Sequence, residues 1–150
     1  MNLTSNVQHL VVPIRIPKQT GKQFYYLSMN QYSKWHFQVY HYIKKTFAVL
    51  TLEQARQLKP INKCCVTYTV YHSHNRDFDL DNFGSIISKF THDVLTEAGV
   101  LVDDSFKYVP KIVYKFGGID KLNPRCEVEI EEILDEEEVK PKTKTKAKEV

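Results

Sequence analysis

The sequence predicts a small α/β (α+β) domain, with a mixed β-sheet and two main helices in the order β-α-β-α-β-β. Two stretches carry apolar residues at helical spacing, residues 64–72 alternate in the manner of a strand, and two further strand patterns close the domain around a glycine-containing turn. The chain has 150 residues, 42% of them apolar and 26% charged, which suits one domain whose core needs no disulfides.

VQHLVVPIRI, residues 7–16, reads as a strand with an edge-type Pro13, and KQTGKQ, 18–23, as a loop. From 31 to 49, Tyr32, Trp35, Val39, Tyr42, Ile43 and Phe47 recur at helical spacing, the pattern of a helix packed by one face. Residues 51–58 suggest a further short helix, ended before Pro60. CCVTYTVYH, 64–72, alternates β-branched and aromatic residues and delivers the chain into the polar run HNRDFDLDN. A second helix is expected from Phe83, with Phe83, Ile87, Phe90, Val94 and Ala98 on one stripe and Gly99 as its stop. Strands are expected at 105–116 and 124–133, separated by GGIDKLNP.

After residue 133 the composition changes to an acidic run followed by a Lys/Thr/Pro run, so the domain is expected to span 1–133 and a disordered tail 134–150. Residues 131–150 hold seven acids and five lysines, leaving 16 basic against 11 acidic side chains in the first 130, a net of +5. Most of those acids fall between Asp77 and Asp104, so the rest of the body is basic, as a phosphate-binding surface would be. No apolar run is long enough to span a membrane and no signal-peptide pattern opens the chain; an intracellular protein is expected. Cys64, Cys65 and Cys126 lack a CxxC spacing and are expected to be buried small hydrophobes in a reducing compartment.

The informative feature is the placement of acids about the second helix. Asp77, Asp79 and Asp81 alternate, which in an extended chain points them to a common side, and Asp81-Asn82 falls where an N-cap belongs. Asp103 and Asp104 follow the helix, and their meeting with the first group depends on the loop at 99–104 folding back. Carboxylates brought together repel, so such a site calls for a divalent cation, and oxygen ligands favour magnesium or manganese. The competing reading is a helix cap with solvated loop acids, which the helix dipole favours in any case. A calcium loop counted from Asp77 fails, because Asn82 and Ser88 stand where its Gly and Glu belong. His72 and His74 precede the acids and share a strand side; the six histidines show no HExxH. Without a Gly-rich phosphate loop or GxSxG, neither a nucleotide cofactor nor an α/β-hydrolase is expected.

DLDNFGSIISKFTHDVLTEAGVLVDD, 79–104, resembles the signature of RusA-type Holliday junction resolvases: D-x-D-N opening a helix with a Lys and an Asp, then A-G leading to D-D. YYLSMNQYSKWH, 25–36, resembles the family's early segment, and the likeness spans about residues 10–130. It implies a homodimeric, magnesium-dependent endonuclease, typically encoded by phages and prophages, that cuts paired strands of branched DNA such as a four-way junction in a bacterial cytoplasm. Manganese would be a substitute metal.

Carried over by position, the resemblance makes Asp79, Asp81 and Asp104 catalytic metal ligands, with Asp103 beside the last. It makes Asn82 a cap or support for the ligands, and Arg76 a phosphate contact. The family lysine falls three residues after the motif Asn, where this chain has Ser85; Lys89, one turn later, keeps the Lys-x-x-x-Asp relation to Asp93 and is the substitute for phosphate contact and catalysis. A broader flap or branch nuclease, a branched-DNA-binding protein of the same fold that lost catalysis, and an unrelated metal-stabilised structural protein are the alternatives.

Overall fold

The structure is a computed structural model that describes residues 6–134, so the expected tail, Leu134 apart, lies outside the described residues. The fold is α+β: a four-stranded mixed sheet, a two-stranded sheet and three helices. In chain order the elements are β1 Val7–Val12, β2 Arg15–Pro17, β3 Phe24–Tyr26, α1 Met29–Tyr32, α2 Phe37–Arg56, β4 Cys64–His72, α3 Leu80–Glu97, β5 Lys111–Ile119 and β6 Arg125–Glu132. The main sheet is ordered β1-β6-β4-β5, with β4 antiparallel to β6 and parallel to β5. A parallel pair needs a crossover, and α3 supplies it as a β4-α3-β5 unit.

Several boundaries differ from expectation. The predicted strand 7–16 breaks at Pro13: β1 joins the main sheet against β6, while β2 leaves to pair with β3. The predicted helix 31–49 is two helices. Ser28 caps the first by accepting from the Gln31 amide at 3.3 Å, and Trp35, between the two, packs its ring on Tyr32 and Phe90. The second absorbs the predicted 51–58 helix, since Ile43, Phe47, Thr51 and Ala55 form an unbroken buried i+4 stripe. Val49 and Leu50, at the junction of the two predicted segments, are apolar but exposed. β5 starts at Lys111 rather than 105, because residues 103–108 form bends and a turn tied by the Tyr108 carbonyl to the Cys64 amide.

β4 alternates buried and half-buried residues over its whole length, so Cys64, Val66, Tyr68, Val70 and His72 face the helices. Cys64 and Cys126 are buried free thiols whose pKa values burial pushes up to about 11 and about 12, while Cys65 is half-buried on the opposite sheet face. α3 is buried on two sides, against α2 and against the sheet. It ends as expected at Gly99, which takes φ +81°. The Gly99 amide donates to Thr96 O and the Val100 amide to Leu95 O, closing a Schellman motif over a buried Leu95–Val100 pair. No helix among the described residues is long and apolar enough to cross a membrane.

Candidate functional site

The segment between β4 and α3 leaves the sheet at the carboxyl ends of the parallel strands β4 and β5, and two pockets open beside it. The first, about 430 Å³, is lined by Met29, Asn30, Asp79, Asp81, Asn82 and Ser85. α3 begins three residues before the expected Phe83, so Asp79 is the N-cap and Asp81 lies in the first turn. The Asp79 side chain makes no capping hydrogen bond, and both carboxylates are exposed, near the positive end of the helix dipole. Asn82 is not the cap. Its Oδ1 accepts from the Asn30 amide at 3.3 Å and so ties α1 to the first turn of α3.

Asp77 does not share a side with Asp79 and Asp81. The segment from Asn75 to Asp79 is irregular rather than a strand, and Asp77 lines the second pocket instead, with Asn75, Arg76, Phe78, Leu80, Phe116 and Ile119. Arg76 is exposed at this second pocket, one residue from Asp77 and three from Asp79. Lys89 is exposed on α3 but lines neither pocket; eight residues past Asp81, it lies about 12 Å farther along the helix axis at about 1.5 Å per residue. Ser85, at the position of the family lysine, does line the carboxylate pocket, and its Oγ is buried without a hydrogen-bond partner.

Asp103 and Asp104 are exposed residues beyond the opposite end of α3. The helix has 18 residues, a length of about 27 Å, and the loop after it stays near its C-terminal end, where Asp104 acts electrostatically on His92. One chain thus brings together Asp79 and Asp81 and keeps Asp103 and Asp104 away from them. Among the described residues no group of three or more His, Cys, Asp or Glu side chains is arranged to hold a metal ion. The donors that do meet are carboxylate and amide oxygens, the type a hard divalent cation takes.

His72 and His74 serve the acidic segment from beneath. His72 is buried, its ring 4.1 Å from that of His74, 4.6 Å from Phe78 and 5.2 Å from Phe83. Its Nδ1 accepts from the Ser73 amide at 2.9 Å, and burial, followed by the charges of His74, Arg15 and Arg76, brings its pKa down to about 4. It is therefore a neutral aromatic support for the loop. Met29 and Asn30, which line the carboxylate pocket, are not marked by any sequence pattern, although both stand in the early segment that carries the family resemblance; Ser85 is marked only as the residue at the family lysine's position.

Compared with protein-family models and with curated proteins, the chain matches none.

Proposed function

We propose that the chain is a RusA-like, divalent-metal-dependent endodeoxyribonuclease that cuts branched DNA such as a four-way junction and works as a homodimer in a bacterial host's cytoplasm. The observation that carries this reading is the carboxylate pocket. Asp79 and Asp81 are exposed and side by side, Asp79 forgoes its capping bond, and Asn82 locks the neighbouring Asn30 amide. A surface that merely needed a helix cap would use the Asp79 side chain for it.

Magnesium, with manganese as substitute, would be held by Asp79 and Asp81 and would supply charge neutralisation and an acidified water for attack on phosphorus. The chain's own contributions are to orient those two carboxylates through the Asn82–Asn30 link and to offer the Arg76 guanidinium to the backbone phosphate. Asp104 belongs to the expected ligand set but lies past the far end of α3, so the reading assigns it to the site of the partner in a two-fold dimer. The dimer also suits a junction with two equivalent strands.

The second reading, a branched-DNA-binding protein with weak or absent catalysis, draws on Ser85, which occupies the carboxylate pocket where the family has lysine. Cleavage of a labelled four-way junction beside matched duplex and flap substrates, with magnesium or EDTA, separates the two. Paired magnesium-dependent nicks that disappear in Asp81→Asn are the expected result. Tight junction binding with no nicks in magnesium or manganese would leave the binding protein, and cutting that prefers flaps would keep the chemistry and change the substrate.

A further inference from the structure

The second pocket is built by a backbone irregularity that has no use in holding the sheet together. Phe116 and Ile119 are three residues apart, so in a regular strand they would face opposite sides. The ladder between β4 and β5 instead slips by one residue: Val70 pairs with Phe116, but Tyr71 pairs with Gly118 and His72 with Ile119. The bulge at Gly117 therefore puts Phe116 and Ile119 on one side, and both line the pocket. A Cβ on residue 117 would lie 2.6 Å from Tyr71 Cζ and 2.7 Å from Thr69 Cγ2, so any larger residue there would have to displace those side chains.

The result is an aromatic recess of about 260 Å³. Phe116 is 53% exposed and stands nearly edge-on to Phe78 at 5.8 Å and 67°. Phe78 is packed in turn against His72 and Phe83. The floor is apolar, with Leu80 and Ile119, while the rim carries the Arg76 guanidinium, the Asn75 amide and the Asp77 carboxylate, so the phosphate must be held on the Arg76 side, away from Asp77.

Resting on the nuclease reading above, we infer that this recess takes one unstacked nucleobase from the branch point, laid against Phe116 with its phosphate drawn to Arg76. Four features favour a nucleotide over an apolar protein side chain. An aromatic face accepts any base by stacking. Arginine complements a phosphate, and an amide both donates to and accepts from a base edge. Finally, Phe78 and Leu80 line this recess while the alternating Asp79 and Asp81 line the carboxylate pocket, so one short segment divides the two. A base in the recess thus sets the register of the strand whose phosphate meets the carboxylates. An aliphatic side chain would fill the floor and leave the polar rim unused.

The test measures, in EDTA so that no strand is cut, the affinity of the full-length chain carrying Asp81→Asn for four-way junctions with a single abasic nucleotide stepped through the branch. The same series is measured with Phe116→Ala and Phe116→Trp added, and thermal unfolding checks that each variant is folded. Expected is one abasic position that weakens binding by about 5- to 100-fold when Phe116 or Trp is present and has no effect with Ala, while affinity for fully paired duplex is unchanged. Equal abasic profiles for Phe and Ala, with junction binding intact, would overturn the base site and spare the nuclease reading. A wild-type chain that binds no branched DNA would overturn both. Conversion of a dimer to a monomer by Phe116→Ala in sedimentation would make the recess a protein interface and overturn the assignment to DNA.

Discussion

At its C-terminal end α3 is tied off by the chain that follows it: Gly99 and Val100 cap its last carbonyls, Ile61 donates to Val100 O, and Val100 and Leu101 seal the apolar base. At its N-terminal end the same helix is left unfinished. The Asp79 side chain caps nothing, Asp81 is exposed, and two open pockets flank them. Both ends carry acids, yet only one gathers carboxylates into a pocket beside a recess walled by Phe78 and Phe116. The contrast teaches that stability and the proposed chemistry are drawn from different ends of one element, so substitutions at the two ends should fail in different assays.

The largest effect is expected at the open end. Asp81→Asn removes one of the two carboxylates in the pocket while keeping its shape, and junction cleavage should fall by at least about 100-fold. Thermal unfolding should change little, because the relief of a like charge beside Asp79 is offset by the lost interaction of Asp81 with the helix dipole. A melting temperature that drops with the activity would show that the open end is structural after all.

Leu95→Ala is the mirror experiment at the tied end. Leu95 is fully buried and sits under the Schellman closure, so its truncation should cost about 2–5 kcal/mol in urea unfolding. Nicking per folded molecule should stay as in the wild type. Loss of nicking by a folded Leu95→Ala would mean that the two ends are coupled through the helix.

A pH titration of stability sharpens the comparison because His72 and His92 mark the two ends. His72 is neutral when folded, with a pKa of about 4 against about 6.5 for an ordinary histidine, so it takes up its proton more readily once unfolded. Its contribution is whole above about pH 6.5 and is lost as pH falls toward about 4, on the order of 3 kcal/mol. His92 is lowered in the same direction by burial, with Asp104 and Asp93 opposing. His72→Gln should flatten most of the acid slope in chemical unfolding measured across that window. If the slope survives, the loop's histidine support is not what acid breaks.

How far these features were legible in the sequence follows from how local they are. β4, the stripe of α3 and the Gly99 stop could be read because period, glycine and burial act within a few residues. The break at Trp35 and the departure of β2 at Pro13 could not, since ring packing on Phe90 and pairing with β3 are decided by distant parts of the chain. Asp79 and Asp81 as a pair were legible from their spacing, and the expectation that Asp77 would join them failed because the segment is not extended. The separation of Asp104 was legible only once the helix was known to run 18 residues without the following loop turning back. The slip at Gly117 leaves no mark in a pattern of types, because it depends on Tyr71 and Thr69 from the neighbouring strand.

The smallest expected effect concerns the lysine, and it tests the open end at finer grain. Lys89 lines neither pocket and lies about 12 Å along α3 from Asp81, so Lys89→Ala should lower junction cleavage by less than about tenfold. Ser85 has the opposite character: it lines the carboxylate pocket, and its buried Oγ is unpaired, so replacing it removes no hydrogen bond. In Ser85→Lys, a long side chain can follow the helix surface and bring its ammonium to the pocket mouth, between the two carboxylates and an incoming phosphate. Single-turnover cleavage should then rise several-fold with junction affinity little altered, and the Ser85→Lys, Lys89→Ala double variant should cleave faster than Lys89→Ala alone. If Lys89→Ala instead abolishes cleavage and Ser85→Lys cannot restore it, the phosphate is held a turn farther down the helix, and the carboxylates act on a strand that crosses α3 rather than one that ends at its tip.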